Sequence, residues 1–234
     1  MIKTILFDLD GTLLPMDQEI FIKAYLDGMC RKMAHHGYDS ELLAKTVWKG
    51  TGAMVMNNGA KTNEAVFWDC FCTVFGTQAL EHMPLFDEFY SREFQMVKEA
   101  CGFDERTAKC IHEIKDMGYQ LILATNPLFP AIATQSRVRW AGLQPEDFAL
   151  ITAYENSRHC KPNPEYYRDI LETMNLKAEE CVMVGNDVTE DMIAGTLGMK
   201  TFLMTDCLIN KDNQSIHQWP HGSFPELMNF IREL

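Results

Sequence analysis

Thr4-Ile5-Leu6-Phe7-Asp8-Leu9-Asp10-Gly11-Thr12 runs four bulky or β-branched residues into two acids, a glycine and a hydroxyl. Thr4–Phe7 is short enough for a strand, and its nearly continuous apolar character predicts burial on both faces. Four more runs read the same way: Gln120–Thr125, Phe148–Thr152, Cys181–Gly185 and Thr201–Met204. Helical stretches alternate with them at Arg106–Met117, Pro127–Trp140, Pro164–Met174 and Glu190–Leu197. Such alternation predicts an α/β fold, a parallel sheet flanked by helices on both faces.

One interval breaks the rhythm. More than a hundred residues separate the first strand from the second, far beyond the needs of one crossover helix. From about Asp17 to Phe94 the chain reads as several helices with aromatic apolar faces, among them Phe21/Tyr25 and Phe67/Phe71, divided at Gly37, Asn57-Asn58-Gly59 and Gly76. Core packing is the expected role of those aromatics. After Asp206 a loop leads to a short helix near Pro225–Arg232. His217 and His221 have the spacing of a helical metal pair, but Pro220 removes that geometry and predicts a surface loop.

The 234 residues suffice for one large domain, or for one domain carrying a smaller insert. A net charge of −12 argues against nucleic acid as a partner, because phosphate-backbone affinity comes from clustered Lys and Arg. An acidic protein acting on small anions needs a metal or a local positive charge. No apolar run approaches the roughly 20 residues of a membrane span, so no membrane is expected. The eight cysteines show no C-x-x-C pairing and no signal pattern precedes the first strand, which predicts reduced thiols and a cytoplasmic location.

Ligands of open α/β sheets bind outside the carboxyl ends of the strands, so the residues just past each strand test for a site. Asp8 and Asp10 can both point into one crevice. One carboxylate can attack phosphorus, while the other protonates a leaving group and then deprotonates water. A strand ending in an ordinary Asp-Gly turn is the competing account. The second strand ends in Thr125-Asn126-Pro127, whose hydroxyl and amide, with the amides opening the next helix, suit phosphate oxygens and equally suit a turn. Lys161, between Cys160 and Pro162, either neutralises a phosphoryl oxygen or is a solvated loop lysine. Asp187 and Asp191 come after the fourth strand, placed for a metal site with Asp8 or for capping the next helix. All four segments fall at carboxyl ends of predicted strands, and Mg²⁺ with Lys161 would supply the positive charge that the composition demands.

These residues resemble the haloacid dehalogenase superfamily, with Asp8-Leu9-Asp10-Gly11-Thr12 as the most specific element and Thr125, Lys161 and Gly185-Asn186-Asp187 through Asp191 similar to its other motifs. The resemblance implies a Rossmann-like core of residues 1–15 and 98–234 and a helical cap domain of residues 16–97. It implies that Asp8 is nucleophile and Mg²⁺ ligand, that Asp10 is general acid/base and a ligand through its carbonyl, and that Asp187 completes the metal site. Thr125 and Lys161 would bind the transferring phosphoryl group, with Asn126 beside them, and Asp191 would support the metal from behind. Only 36 residues separate Thr125 from Lys161 (161 − 125), which leaves no room for a cap there. The subgroup is similar to phosphoglycolate phosphatases, β-phosphoglucomutases and dehalogenases, and Asp10 argues against the last.

Two departures stand out: Asn186 interposed between Gly185 and Asp187, and Leu13-Leu14-Pro15-Met16 where Asp-Ser often occurs. Trp48-Lys49-Gly50-Thr51-Gly52 resembles the glycine loop such caps lower over substrate, with Lys49 meeting an anionic group; a helix end leading into a turn is the other reading. The expected activity is Mg²⁺-dependent hydrolysis of a small phosphorylated metabolite. A phosphomutase and a non-catalytic phosphate-binding regulator are the alternatives.

Overall fold

The computed structural model describes residues 1–234. Six parallel strands, β1 (Thr4–Phe7), β2 (Gln120–Leu123), β3 (Leu150–Ile151), β4 (Cys181–Gly185), β5 (Lys200–Met204) and β6 (His221–Gly222), lie in the order β3-β2-β1-β4-β5-β6. Side chains alternate across a sheet, and both faces are covered. Ile5, Phe7, Leu121, Leu123, Val182 and Val184 face one apolar cluster; Leu6, Ile122 and Met183 face another, which includes Tyr166, Tyr167 and Ile170. Successive strands step outward from β1 to β2 and β3, then the chain returns to place β4 on the other side of β1. That reversal opens a crevice beyond the carboxyl ends of β1 and β4.

The long interval is helical: α1 (Gln18–Ala34), α2 (Ser40–Val55), α3 (Asn63–Phe75) and α4 (Met83–Ser91), with 3₁₀ segments at Thr77–His82 and Glu93–Ala100. Asp17, Asp39 and Thr62 cap α1, α2 and α3 through side-chain oxygens that accept amides of the first turn. Phe21, Tyr25, Phe71 and Phe94 are buried as core, mostly in edge-to-face aromatic pairs. They belong to the same apolar cluster as one face of the sheet. The chain leaves at Pro15-Met16 and returns at Cys101-Gly102. There Met16 bridges Cys101, and the Gly102 amide donates to the Pro15 carbonyl at 2.7 Å.

The remaining helices are α5 (Glu105–Asp116), α6 (Ala131–Trp140), α7 (Pro164–Thr173) and α8 (Phe224–Arg232). Several expected bounds move. The helix expected from Pro127 begins only at Ala131, since Pro127 and Pro130 disfavour helical geometry before them. The helix expected at Glu190–Leu197 is a 3₁₀ segment, Met192–Leu197, because Asp191 is turned inward by its own ion pair. β3 keeps only two of the five residues expected. β6 is an addition to the expected strands: His221 lies in it, half-buried, and its Nδ1 is 2.8 Å from the Trp219 carbonyl, while His217 is exposed in a short 3₁₀ turn, Ile216–Gln218, within the stretch foreseen as a surface loop for both. No helix is long and apolar enough to cross a membrane, and all eight cysteines are free.

Candidate active site

The β1 ladder continues one residue past the strand, where the Asp8 amide donates to the Val184 carbonyl at 2.9 Å. The chain then folds into a tight turn in which the Leu9 carbonyl accepts the amides of Thr12, Leu13 and Leu14. Gly11 has φ +88°, and a Cβ there would collide with the Asn186 side-chain amide, so both conformation and space require glycine. Asn186 is buried. It accepts the Thr12 hydroxyl at 3.0 Å and donates to the Cys207 carbonyl at 2.6 Å, tying the β1 turn to the β4 turn. The inserted residue thus has a clear structural part.

Asp8 is 7% exposed; its Oδ1 accepts from Lys161 Nζ at 2.9 Å and its Oδ2 from the Thr12 hydroxyl at 3.2 Å. Lys161 is not a solvated loop lysine. It is 1% exposed and also donates to Asp191 Oδ1 at 2.6 Å. Burial opposes its charge, but Asp191 and Asp8 outweigh burial and hold its pKa well above the ordinary range. Two of three ammonium hydrogens are committed, which leaves one donor for a ligand. Asp191 Oδ2 accepts the Asp187 amide at 2.9 Å, and a Cβ on Gly185 would strike the same carboxylate. Asp191 therefore orients Lys161 and the β4 turn.

Asp187 does what a cap does: its Oδ1 accepts the amides of Thr189 at 2.7 Å and Glu190 at 2.9 Å. Its second oxygen has no donor from the protein, so capping and metal ligation are compatible. Thr125 is held by its carbonyl, which accepts the hydroxyls of Thr152 at 2.7 Å and Tyr166 at 2.9 Å. Its own hydroxyl makes no hydrogen bond within the protein. Asn126 donates to Glu190 Oε2 at 3.0 Å, while its Oδ1 is buried without a partner. The N-terminus of α6, expected to help hold phosphate, is instead taken: the Ala131 amide donates to both Glu155 carboxylate oxygens, at 2.9 and 3.0 Å.

Asp10 has a partner that sequence reasoning missed. Arg137, fully buried on α6, forms an ion pair with Asp10 Oδ2. The guanidinium carbon lies 4.5 Å from the centroid of the Phe129 ring. The available signal was a charge on an apolar helix face, since Ala133 and Ala141, four residues either side, are buried. Burial raises the Asp10 pKa, opposed by Arg137 and reinforced by Asp8. Glu190, also missed, is pushed up to about 7 by burial, with Lys161 opposing.

The site residues do not include Lys49. The segment expected as a glycine loop lies inside α2, and Lys49 is exposed on it, its Nζ 3.4 Å from the Thr73 hydroxyl of α3. Gly50 serves packing, not a turn: a Cβ there would press on the Phe67 ring. At 100° per residue, the face carrying Val47 and Thr51 turns Lys49 away.

No three His, Cys, Asp or Glu side chains come together as a ready-made metal cluster. The donor set nevertheless suits a hard cation that keeps waters and a substrate oxygen. Asp8, Asp10, Asp187, Glu190 and Asp191 face only Lys161 and Arg137 as cations. Asp10 Oδ1 and Asn126 Oδ1, moreover, are buried acceptor oxygens without partners in the protein, and buried polar atoms of this kind call for a bound partner.

A family model for haloacid dehalogenase-like hydrolases matches residues 2–197. The chain is 26% identical over 202 residues to pyrophosphatase PpaX of Bacillus mycoides, covering 86% of this chain and 82% of that protein. Its fold is similar to a 2-haloacid dehalogenase from Pseudomonas syringae pv. Tomato DC3000 (TM-score 0.64, 19% identity, 100% of this chain and 99% of that one). It is likewise similar to the putative HAD-hydrolase YfnB from Bacillus subtilis, a structure bound to magnesium (TM-score 0.57, 20% identity, 99% of each chain). With the match spanning the β1 turn, the β2 end, Lys161 and the β4 turn, the chain belongs to the haloacid dehalogenase-like hydrolases.

Proposed function

We propose that this hydrolase is a Mg²⁺-dependent phosphatase acting on a small phosphate monoester through an aspartyl phosphate on Asp8. The observation that carries the reading is Asp8 itself, aimed from the end of β1 into the crevice and held between Lys161 and Thr12. A carboxylate so fixed is positioned as a nucleophile beside a buried ammonium.

Asp8 attacks phosphorus, and the ester P–O bond breaks as the new P–O bond forms. The departing oxygen takes a proton from Asp10, whose Oδ2 is committed to Arg137 and whose Oδ1 is free to carry it. Water then attacks the phosphorus of the aspartyl phosphate, gives its proton to Asp10 Oδ1, and releases inorganic phosphate and the Asp8 carboxylate. Lys161 and the Thr125 hydroxyl hold phosphoryl oxygens in both steps. Asp8, the Asp10 carbonyl and the free oxygen of Asp187 would hold Mg²⁺, which supplies charge neutralisation to the phosphoryl group when bound. The helical insert acts as a cap that limits bulk water around the reacting phosphoryl group while admitting the water of the second step.

The PpaX relatives, named pyrophosphatases, support phosphoryl transfer as the reaction class. Release of inorganic phosphate from acetyl phosphate, assayed with Mg²⁺, tests the proposal. Asp8→Asn should lose on the order of 10³-fold or more of the rate, and EDTA should abolish it until Mg²⁺ is restored. Full activity in Asp8→Asn, or in EDTA, would defeat the mechanism.

A further inference from the structure

The carboxyl ends of β2 and β4 flank that of β1, where Asp8 sits. Neighbouring strands lie about 4.8 Å apart, so β2 and β4 run about 10 Å from each other with β1 between them. Beyond the strands that gap closes. Asn126, just past the end of β2, donates its Nδ2 to Glu190 Oε2 at 3.0 Å, the single hydrogen bond between residues 124–130 and residues 186–191. We propose that Glu190 is a positioning residue, whose carboxylate straps the β2 end to the β4 turn and fixes the spacing between Thr125 on the phosphoryl side and Asp187 on the metal side. The proposal rests on the phosphatase reading above.

Glu190 is anchored before it reaches Asn126. Its amide donates to Asp187 Oδ1 at 2.9 Å, so the residue that grips Asn126 also holds the carboxylate whose other oxygen is left for Mg²⁺. Its carbonyl accepts the Tyr167 hydroxyl of α7 at 2.9 Å. With its backbone held from both sides, the side chain transmits position instead of swinging freely.

Asn126 is equally constrained. Two acceptors, Glu190 Oε2 at 3.0 Å and the Lys161 carbonyl at 3.5 Å, face one end of its amide, and the network thereby assigns that end as nitrogen. On this reading Asn126 places its neighbour Thr125 and does not itself donate to phosphate. Asp191 does not duplicate the strap. It holds the β4 turn from the Lys161 side, accepting the Asp187 amide at 2.9 Å and Lys161 Nζ at 2.6 Å, and makes no hydrogen bond to Asn126.

Glu190→Met keeps a side chain of similar length without the acceptor, whereas Glu190→Gln keeps an acceptor. Both remove the charge, so the difference between them isolates the strap. With acetyl phosphate as substrate, Met should lower kcat/KM on the order of 10- to 100-fold, the effect of one hydrogen bond to a charged group. Gln should recover most of that loss. Calorimetric titration of Mg²⁺ into the protein without substrate should show binding on the order of tenfold weaker in Met than in Gln. Asn126→Ala, which cuts the bond from the other side, should weaken Mg²⁺ binding in the same way, a measurement that stands even if Glu190→Met does not fold. Combining Asn126→Ala with Glu190→Met should add little to either. Met and Gln alike in either measurement, Asn126→Ala binding Mg²⁺ as the parent does, or a lowered melting temperature with nothing else changed overturns the inference and leaves the phosphatase reading intact. No phosphate release by the parent protein sinks both.

Discussion

Arg137 shows how much a single buried charge can decide. With its side chain 1% exposed and that of Asp10 21% exposed, the pair holds one carboxylate oxygen and leaves the other without a partner. Arg137→Met keeps much of the volume and strands Asp10. Stability should fall by about 2–3 kcal/mol in urea denaturation, less than the loss for breaking a fully buried pair because Asp10 retains contact with water. Phosphate release should fall more steeply in Met than in Lys at this position, since lysine preserves the charge but not the planar fork. Glu190 carries a pH prediction. Its folded pKa of about 7 lies above the ordinary 4.5, so the protonated form favours folding. That stabilisation is fully present below pH 4.5 and disappears as pH rises through 7. Glu190→Gln should therefore gain on the parent protein between about pH 5 and pH 8, by about 2 kcal/mol, when both are unfolded in urea without metal. A difference that does not change with pH would refute that assignment.

At the scale of elements, α2 illustrates how glycine misleads. Gly50 and Gly52 read as loop residues, yet α2 runs unbroken from Ser40 to Val55. Gly50 is there because α2 and α3 pack so closely that the Phe67 ring occupies the space of a side chain. Gly50→Val should overpack that contact and cost about 1–3 kcal/mol, read as a lowered melting temperature, whereas Gly52→Ala, with open space around it, should be neutral or slightly stabilising. The β1 and β4 bounds were legible to the residue because fully buried parallel strands are runs of apolar residues. β3 and β6 were not, because a two-residue edge strand has no period to read. Both lie where ladder partners, not local sequence, define the strand.

For the whole molecule, the joint between insert and core joins a shared apolar cluster to a polar part concentrated at one residue. Asn63, 0% exposed at the start of α3, donates to the Pro127 carbonyl at 3.2 Å and to Cys160 Sγ at 3.3 Å, and accepts from Asn57 at 2.8 Å. Its amide and that of Glu64 donate to the carbonyls of Ser157 and Tyr154, at 2.8 and 2.9 Å. One side chain of the insert thus touches the two loops that carry Asn126 and Lys161. Asn63→Ala leaves those groups without partners and should destabilise by about 1–3 kcal/mol. It should also raise KM for phosphate esters, because the loops lose their common anchor; an unchanged KM would mean that the joint is structural only.

The order of strand ends along the sequence determined much of this protein: an α/β fold, a long helical insertion after β1, and the candidates Asp8, Asp10, Lys161 and Asp187 at carboxyl ends. These features are local, written in periodicity and in the residues that terminate a strand. Tertiary structure alone decided what each candidate touches. It buried Lys161 between Asp8 and Asp191, brought Arg137 from 127 residues away onto Asp10, turned Lys49 out of the site, and enclosed an apolar cavity beside Phe129. Contacts of that kind depend on which faces meet when helices pack, and no local pattern encodes the meeting.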